Sequence, residues 1–251
     1  MHQRLNRDRA ARGLPPLAYD ERLAGIGRYH SADMRDKRFF AHESPTSGSL
    51  DDRLNAAGYL FVSARENLSE APDVQSSQDS LLASPGHFAN IMADDITHVG
   101  VGIVRGGVED PTNLMVTQVF ARPGRVETPQ AAQEAILTSI QQARAGRGLK
   151  AAKLHAELEA LAEQYIVELA PETTPSDLQQ VGKRVSKEVG ARGNLGFRGV
   201  LVVGQLLPDS DSLQLPQELL NSSSSALGLA VRQVSHASGR PMLQVLLLLG
   251  L

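Results

Sequence analysis

Two neighbouring segments decide how this chain is read: Ser84–Met92, SPGHFANIM, and, five residues later, His98–Val104, HVGVGIV. Pro85-Gly86 supplies turn chemistry, so Ser84 reads as the cap and turn before the His87 segment. His98–Val104 and Leu114–Ala121 are both β-rich, and Gly106-Gly107 with Asp110-Pro111 between them supplies turns; the simplest arrangement is an antiparallel hairpin. The glycines of the VGVG run lie inside a strand pattern, where they permit close backbone packing. They lack the Gly-Lys-Ser/Thr ending of a phosphate loop. Ser84 precedes His87 by three residues, but no G-x-S-x-G elbow surrounds it, and a serine nucleophile is not indicated.

Upstream of these segments the pattern is helical. Asp20 can cap a helix in which Leu23, Ile26, Gly27, His30 and Met34 fall on one face, and burial of that face is expected. His30 on that face reads as a satisfied core histidine, and His98 as a polar residue at the edge of its strand. A second helix can start at Ser49, run through Leu50 and Leu54, and stop at Gly58, which suits a left-handed C-terminal position.

The second half echoes the first. RDRAARGLPPL from Arg7 is matched by QARAGRGLKAA from Gln142, each ahead of an amphipathic helix, Leu23 and Ile26 in one and Leu158 and Leu161 in the other. A segment capped at Ser176, with Val181, Val185 and Val189, ends at Gly190 and echoes the Ser49–Gly58 helix. Near the end, ALGLAVRQVSHASGRPMLQVLLLLG repeats strand, turn, strand, with Gln244-Val245 set against Gln118-Val119. That alignment puts Gln205 within about a residue of the Glu66 position and leaves no counterpart of His42 or His87. Leu243–Leu249 is nearly continuous in apolar residues, the mark of a strand covered on both faces. Two domains follow, 1–122 and 130–251, with prolines and a glycine interrupting the pattern between Arg122 and Gln130.

Composition excludes several functions. The 251 residues contain no cysteine, so a disulfide framework, a thiol nucleophile and a cysteine-ligated metal are all absent. A net charge of -3 and no basic stripe argue against a nucleic-acid partner. The longest wholly apolar stretch, Val245–Leu249, is far too short to span a membrane. MHQRLNRDRA, at the start, has no apolar leader region, so an exported form would carry its leader upstream of this sequence. The sequons at Asn67 and Asn221 read as chance occurrences.

Four segments occur together and in order: LNRDRAARGLPPL, FFAHESP around His42, RENLS around Glu66, and ASPGHFANIM with its following THVGVG. Together they resemble the CAP superfamily, shared by cysteine-rich secretory proteins, venom antigens and pathogenesis-related proteins, and its bacterial SCP-like subgroup in particular. The resemblance implies an α+β fold, a three-layer α-β-α sandwich with an antiparallel sheet, here as two tandem copies of which the second is degenerate. It places His42 and His87 on the family's cleft histidines and Glu66 on an acidic position, with Ser84 and Asn67 beside them in the cleft. Arg65 stands where the motif usually has glycine, and Ser84 where many relatives have a second glutamate, leaving a triad.

Two neutral imidazoles and a carboxylate are competent ligands for Zn²⁺, with water filling an open position. The same residues also fit a hydrogen-bonded cluster that ties loops together, or a metal-water for acid-base chemistry. The leading expectation is an extracellular or periplasmic, non-enzymatic module that binds a divalent metal, and a lipid or cell-envelope ligand, in its cleft. A metal-dependent hydrolase and a structural or protein-interaction module with an inert triad are the alternatives.

Overall fold

Arg9, near the end of helix α1 (His2–Ala10), shows what the repeated RA-x-RGL segment does. Its guanidinium is fully buried and donates to the carbonyl oxygens of Pro15 at 2.9 Å and of Ile91 and Ala93 at 2.8 Å each. One side chain thus ties the helix to the turn that follows it and to a distant segment. The computed structural model describes residues 1–192, 196–197, 199–221, 226–237 and 239–251. They fall into two compact units, Met1–Gly124 and Arg125–Leu251.

In the first unit the chain continues through β1 (Ala18–Tyr19), α2 (Glu21–Lys37), α3 (Leu50–Ala56), β2 (Phe61–Ala71), α4 (Val74–Ala83), α5 (Pro85–Ile91), β3 (His98–Arg105) and β4 (Leu114–Pro123). Asp20 caps α2 by accepting from the backbone N–H of Arg22 and Leu23, and Leu23, Ile26, Gly27, His30 and Met34 are all buried. Ser49 and Asp52 form a reciprocal capping box on α3, and Gly58 beyond its end has φ +61°. The sheet order is β1-β3-β4-β2. β3 and β4 form the expected antiparallel hairpin, β2 adds antiparallel to β4, and β1 adds a short parallel pair.

Helices cover both faces of this sheet. Leu23 and Ile26 of α2 and Leu54 of α3 pack with Val119 and Ala121 on one side. Leu5 of α1, Leu81 of α4 and Ile91 of α5 pack with Val99, Val116 and Phe120 on the other. The glycines of VGVG let α2 lie directly on the strands: a Cβ at Gly100 would sit 2.0 Å from the Ala24 amide nitrogen.

The second unit comprises α6 (Pro129–Ala145), β5 (Lys153–Leu154), α7 (Ala156–Ile166), α8 (Pro175–Arg192), β6 (Val200–Leu207), a 3₁₀ turn at Ser210–Ser212, α9 (Gln217–Asn221), β7 (Ala226–Ser235) and β8 (Pro241–Gly250). Its sheet order, β5-β7-β8-β6, reproduces that of the first unit, again with one short parallel pair. Arg144 repeats Arg9: buried, it donates to the carbonyls of Lys150 at 2.7 Å and Leu219 at 2.5 Å. A Cβ at Gly228 would meet the Leu158 carbonyl oxygen at 2.3 Å, as Gly100 meets α2 in the first unit.

β8 is the central strand, and the continuous apolar run is buried on both faces. Leu243, Val245, Leu247 and Leu249 face α6 and α9, whereas Leu246 and Leu248 face α7 and α8. Each such side chain contributes roughly 1.5–3 kcal/mol of transfer free energy.

The structure corrects the sequence reading in four places. β2, which carries Glu66 and Asn67, is a strand that the sequence reading does not offer, because its buried Glu66, Asn67 and Ser69 break any apolar alternation. α8 is capped by Thr174, whose hydroxyl and backbone exchange hydrogen bonds with Asp177, and it runs through Gly190 to Arg192 rather than from Ser176 to Gly190. Gln244 is not the counterpart of Gln118. Gly100 pairs with Val119 and Gly228 with Leu248, so the register aligns Val119 with Leu248 and Gln118 with Leu247. Val119 pairs with Glu66 and Leu248 with Val202, which makes Val202, not Gln205, the counterpart of Glu66. Between β6 and β7 the described residues hold only the 3₁₀ turn and α9, with nothing resembling α4 and α5; the Asn221 sequon extends outside the described residues.

Candidate functional site

β2 pairs with β4 so that Glu66 lies opposite Val119. The Glu66 carboxylate is buried, with 3% of its side chain exposed, and both of its oxygens are engaged. Arg53 of α3, itself buried, donates from Nη2 to Oε2 at 2.7 Å. His42, in the loop after α2, donates from Nδ1 to Oε1 at 2.9 Å. Arg53 also holds the His42 carbonyl at 3.1 Å and the Gly48 carbonyl at 2.8 Å, so one guanidinium positions both the loop and the carboxylate. The capping box at Ser49 fixes the helix that delivers Arg53.

His30 completes the group from α2. It is fully buried, its Nε2 donates to the Ala41 carbonyl at 3.0 Å, and it lies 3.9 Å from Glu66 Oε1. Burial pushes its pKa below the ordinary histidine value, against the opposing pull of Glu66. His30 is therefore the core histidine expected from its helix face, and it also borders the carboxylate.

The neighbouring residue Asn67 faces a second set of partners. Its Nδ2 donates to the His87 carbonyl at 3.1 Å and to Gln118 Oε1 at 3.1 Å. Asn90 of α5 donates to Asn67 Oδ1 at 2.9 Å and to the Glu66 carbonyl at 3.1 Å. Gln118 passes the chain on to Gln78, and Gln78 to Asp8 on α1. This buried amide network seats α5, and with it His87, against the sheet. Asn67 is fully buried, so its sequon offers no acceptor at the surface.

His87 is half-buried, and its pKa is held below the ordinary value first by desolvation and then by the charge of His42. His42 is open, with 60% of its side chain exposed. Ser84 ends α4 and precedes α5 without a side-chain capping bond. Arg65, in the place of the motif glycine, pairs with Asp95 at 2.8 Å.

The structure joins His42 to Glu66 directly and brings His87 within electrostatic reach of His42. It does not make a ready three-ligand set: among the described residues no group of three His, Asp or Glu is disposed to hold a metal ion. Glu66 is committed to Arg53 and His42 and does not fit the part of a free ligand. Arg53, His30 and Asn90 are the members that sequence reasoning missed. Asn90 carried a signal, since it lies on the same short helix as the motif histidine His87.

With its two-sided helical cover, mixed four-stranded sheet and polar group at the edge of β2, the first unit has the architecture that the four sequence motifs imply. Residues 2–120 match the family described as "CAP: Cysteine-rich secretory protein family", and this part of the chain is a CAP domain. The uncharacterized Bacillus subtilis protein YkwD is 38% identical over 103 residues, 41% of this chain and 40% of YkwD. The uncharacterized membrane protein YlbC of the same organism is 36% identical over 98 residues, 39% of this chain and 28% of its own. The chain thus spans less than half the length of either relative. Among solved structures, an extracellular protein containing a SCP domain from Bacillus anthracis is 34% identical, with a TM-score of 0.43 over 47% of this chain and 37% of that one. No described helix is long and apolar enough to cross a membrane.

Proposed function

We propose that the first unit is an extracellular, non-catalytic binding module whose cleft holds a divalent cation such as Zn²⁺ through His42 and His87. One observation carries this reading: His42 Nδ1 is bonded to a carboxylate that is itself pinned by Arg53. That bond fixes the imidazole tautomer and leaves Nε2 as the atom with a lone pair. A carboxylate behind a ligating histidine raises its basicity and fixes its ring, and such partners are worth about 10–100-fold in metal affinity. The depressed pKa of His87 keeps its imidazole in the neutral form that ligation requires. Glu66 acts as the orienting group, and water completes the coordination of the cation.

An apolar groove of ≈ 580 Å³ beside Arg53, with Ile26, Tyr29, Ala56 and Ala57 on its walls, favours a second ligand class, a small amphiphile. The extracellular setting is supported by the printed description of the Bacillus anthracis protein.

Titration calorimetry tests the metal reading. One Zn²⁺ per chain is expected, with binding lost in the His42→Ala, His87→Ala double variant. Glu66→Gln should keep the stoichiometry and weaken affinity by about 10–100-fold. Acidification weakens binding as the histidines protonate. Unchanged binding in the double variant would leave only a cluster that ties loops together. Turnover that is lost both with chelator and in Glu66→Gln would move the assignment to a hydrolase.

A further inference from the structure

Among the described residues, the second unit lacks the two helices that the first unit packs along the outer strand of its sheet. In each sheet the strand at the end of the order, β2 or β6, has one edge bonded to the central strand and the other directed outward. The backbone bonds at the ends of the ladders set the phase. His236 donates to Arg240, and Leu251 to Gly199, so Leu201, Val203, Gln205 and Leu207 bond inward to β8. The N–H and C=O groups of Val200, Val202, Gly204 and Leu206 therefore point away from the sheet. The same phase, set by the Gly106 to Asn113 bond, makes Glu66 and Leu68 outward residues of β2.

In the first unit that edge is guarded: α4 and α5 pack along β2, and Asn90 caps the outward Glu66 carbonyl. β6 has no counterpart of α4 and α5 among the described residues; α8 packs on one of its faces, and the chain at Gln214 exchanges hydrogen bonds with the Gln205 side chain, which leaves the outward backbone groups of the strand unpaired by either. It is half-buried from Val200 to Leu206 and carries no charge. Proteins ordinarily blunt an edge of this kind with lysine, proline or a bulge. Instead, a groove of ≈ 740 Å³ runs between β6 and α8, walled by Pro175, Leu178, Gly182, Val200 and Val202.

Charge identifies the occupant. Lys183 lines the groove, and Lys187 follows one turn later on the same stripe; both are exposed and, among the described residues, neither belongs to an ion pair. Their neighbours Arg184 and Arg192, by contrast, are paired with Glu168 and Glu157. We propose that the outer edge of β6 is a docking site for an extended segment of another polypeptide, apolar at alternating positions and carrying carboxylates that meet Lys183 and Lys187. The segment adds a fifth strand to the sheet, gaining main-chain hydrogen bonds from Val200, Val202, Gly204 and Leu206, and seats alternate side chains in the groove. This assignment is independent of the metal reading, because it uses no residue of the first unit.

Fluorescence anisotropy on the whole chain tests it, with labelled Glu-Val-Thr-Val-Thr-Val-Glu as the probe and the same peptide with lysine at both ends as its control. The acidic peptide should bind saturably and the basic one at least about five-fold more weakly, the scale of one or two exposed charge pairs. Lys183→Glu should reverse that preference. Val202→Pro removes an outward N–H without touching the β8 ladder, so it should weaken binding more than about ten-fold while the circular dichroism stays native. If that variant fails to fold, the Lys183→Glu reversal carries the test alone. The site is overturned by no saturable binding of the acidic peptide up to about 1 mM, or by equal binding of both peptides. A dimer in sedimentation that Val202→Pro dissociates would overturn it in favour of a second copy of this chain.

Discussion

Replacing Arg53 by Met removes the partner of a buried carboxylate while keeping most of the side-chain volume. Glu66 is 3% exposed at its side chain, and Arg53 supplies one of its two short hydrogen bonds. Breaking a buried pair from one side costs about 3–5 kcal/mol, because the remaining charge has neither solvent nor counterion. For a unit of this size that corresponds to a fall in Tm of roughly 10–20 °C. Urea titrations at pH 7.5 should show this gap from wild type directly. Adding Glu66→Gln to Arg53→Met should recover about half of the loss at pH 7.5, since it removes the stranded charge. A deficit below about 1 kcal/mol, or no recovery in the double variant, would show that the pair is not the tie described above.

Two further perturbations test the duplication. Arg9→Met and Arg144→Met should each cost about 2–4 kcal/mol in thermal melts by orphaning the carbonyls they hold, three in the first case, of which that of Ile91 is buried; a loss below about 0.5 kcal/mol in either would mean that solvent replaces the guanidinium there. Gly100→Ala and Gly228→Ala should each lose more than about 3 kcal/mol, because the new Cβ would overlap backbone of α2 or α7; soluble, native-like melting of either variant would contradict the close helix-strand approach.

Much of this fold is legible in the sequence, for local reasons. The Asp20 and Ser49 caps, the one-sided apolar face of α2 and the hairpin turns announce themselves within a few residues. The doubling is legible because Arg9 and Arg144 sit in matching local motifs. β2 is not, since its buried polar residues are chosen for the site rather than the core: Glu66 and Asn67 answer to Arg53 and Asn90, contacts that no periodicity displays. The three-residue slip at Gln244 has the same root. The Gln-Val dipeptide is common local chemistry, whereas Gly100 and Gly228, each pressed against a helix backbone, are the positions that fix the register. His42 and Glu66 were found by motif, and their hydrogen bond follows from the strand and loop that carry them. That Glu66 is already saturated rested on Arg53, a helix away, and only the folded chain shows it.

In both units the central strand, β4 or β8, is the last element of its unit. During synthesis a nascent unit therefore holds its helices and the short parallel pair β1-β3 or β5-β7, with β2 or β6 unpaired, until its final ten or so residues leave the ribosome. The second unit depends on this most, because both of its hydrophobic clusters draw on β8. A cut or premature stop ahead of Pro241 would take Leu243–Leu249 out of both clusters and leave β6 unpaired, and the product would be a substrate for proteases rather than a smaller folded protein. The first unit, closed once β4 is made, is spared that fate and can mature while its twin is still being translated.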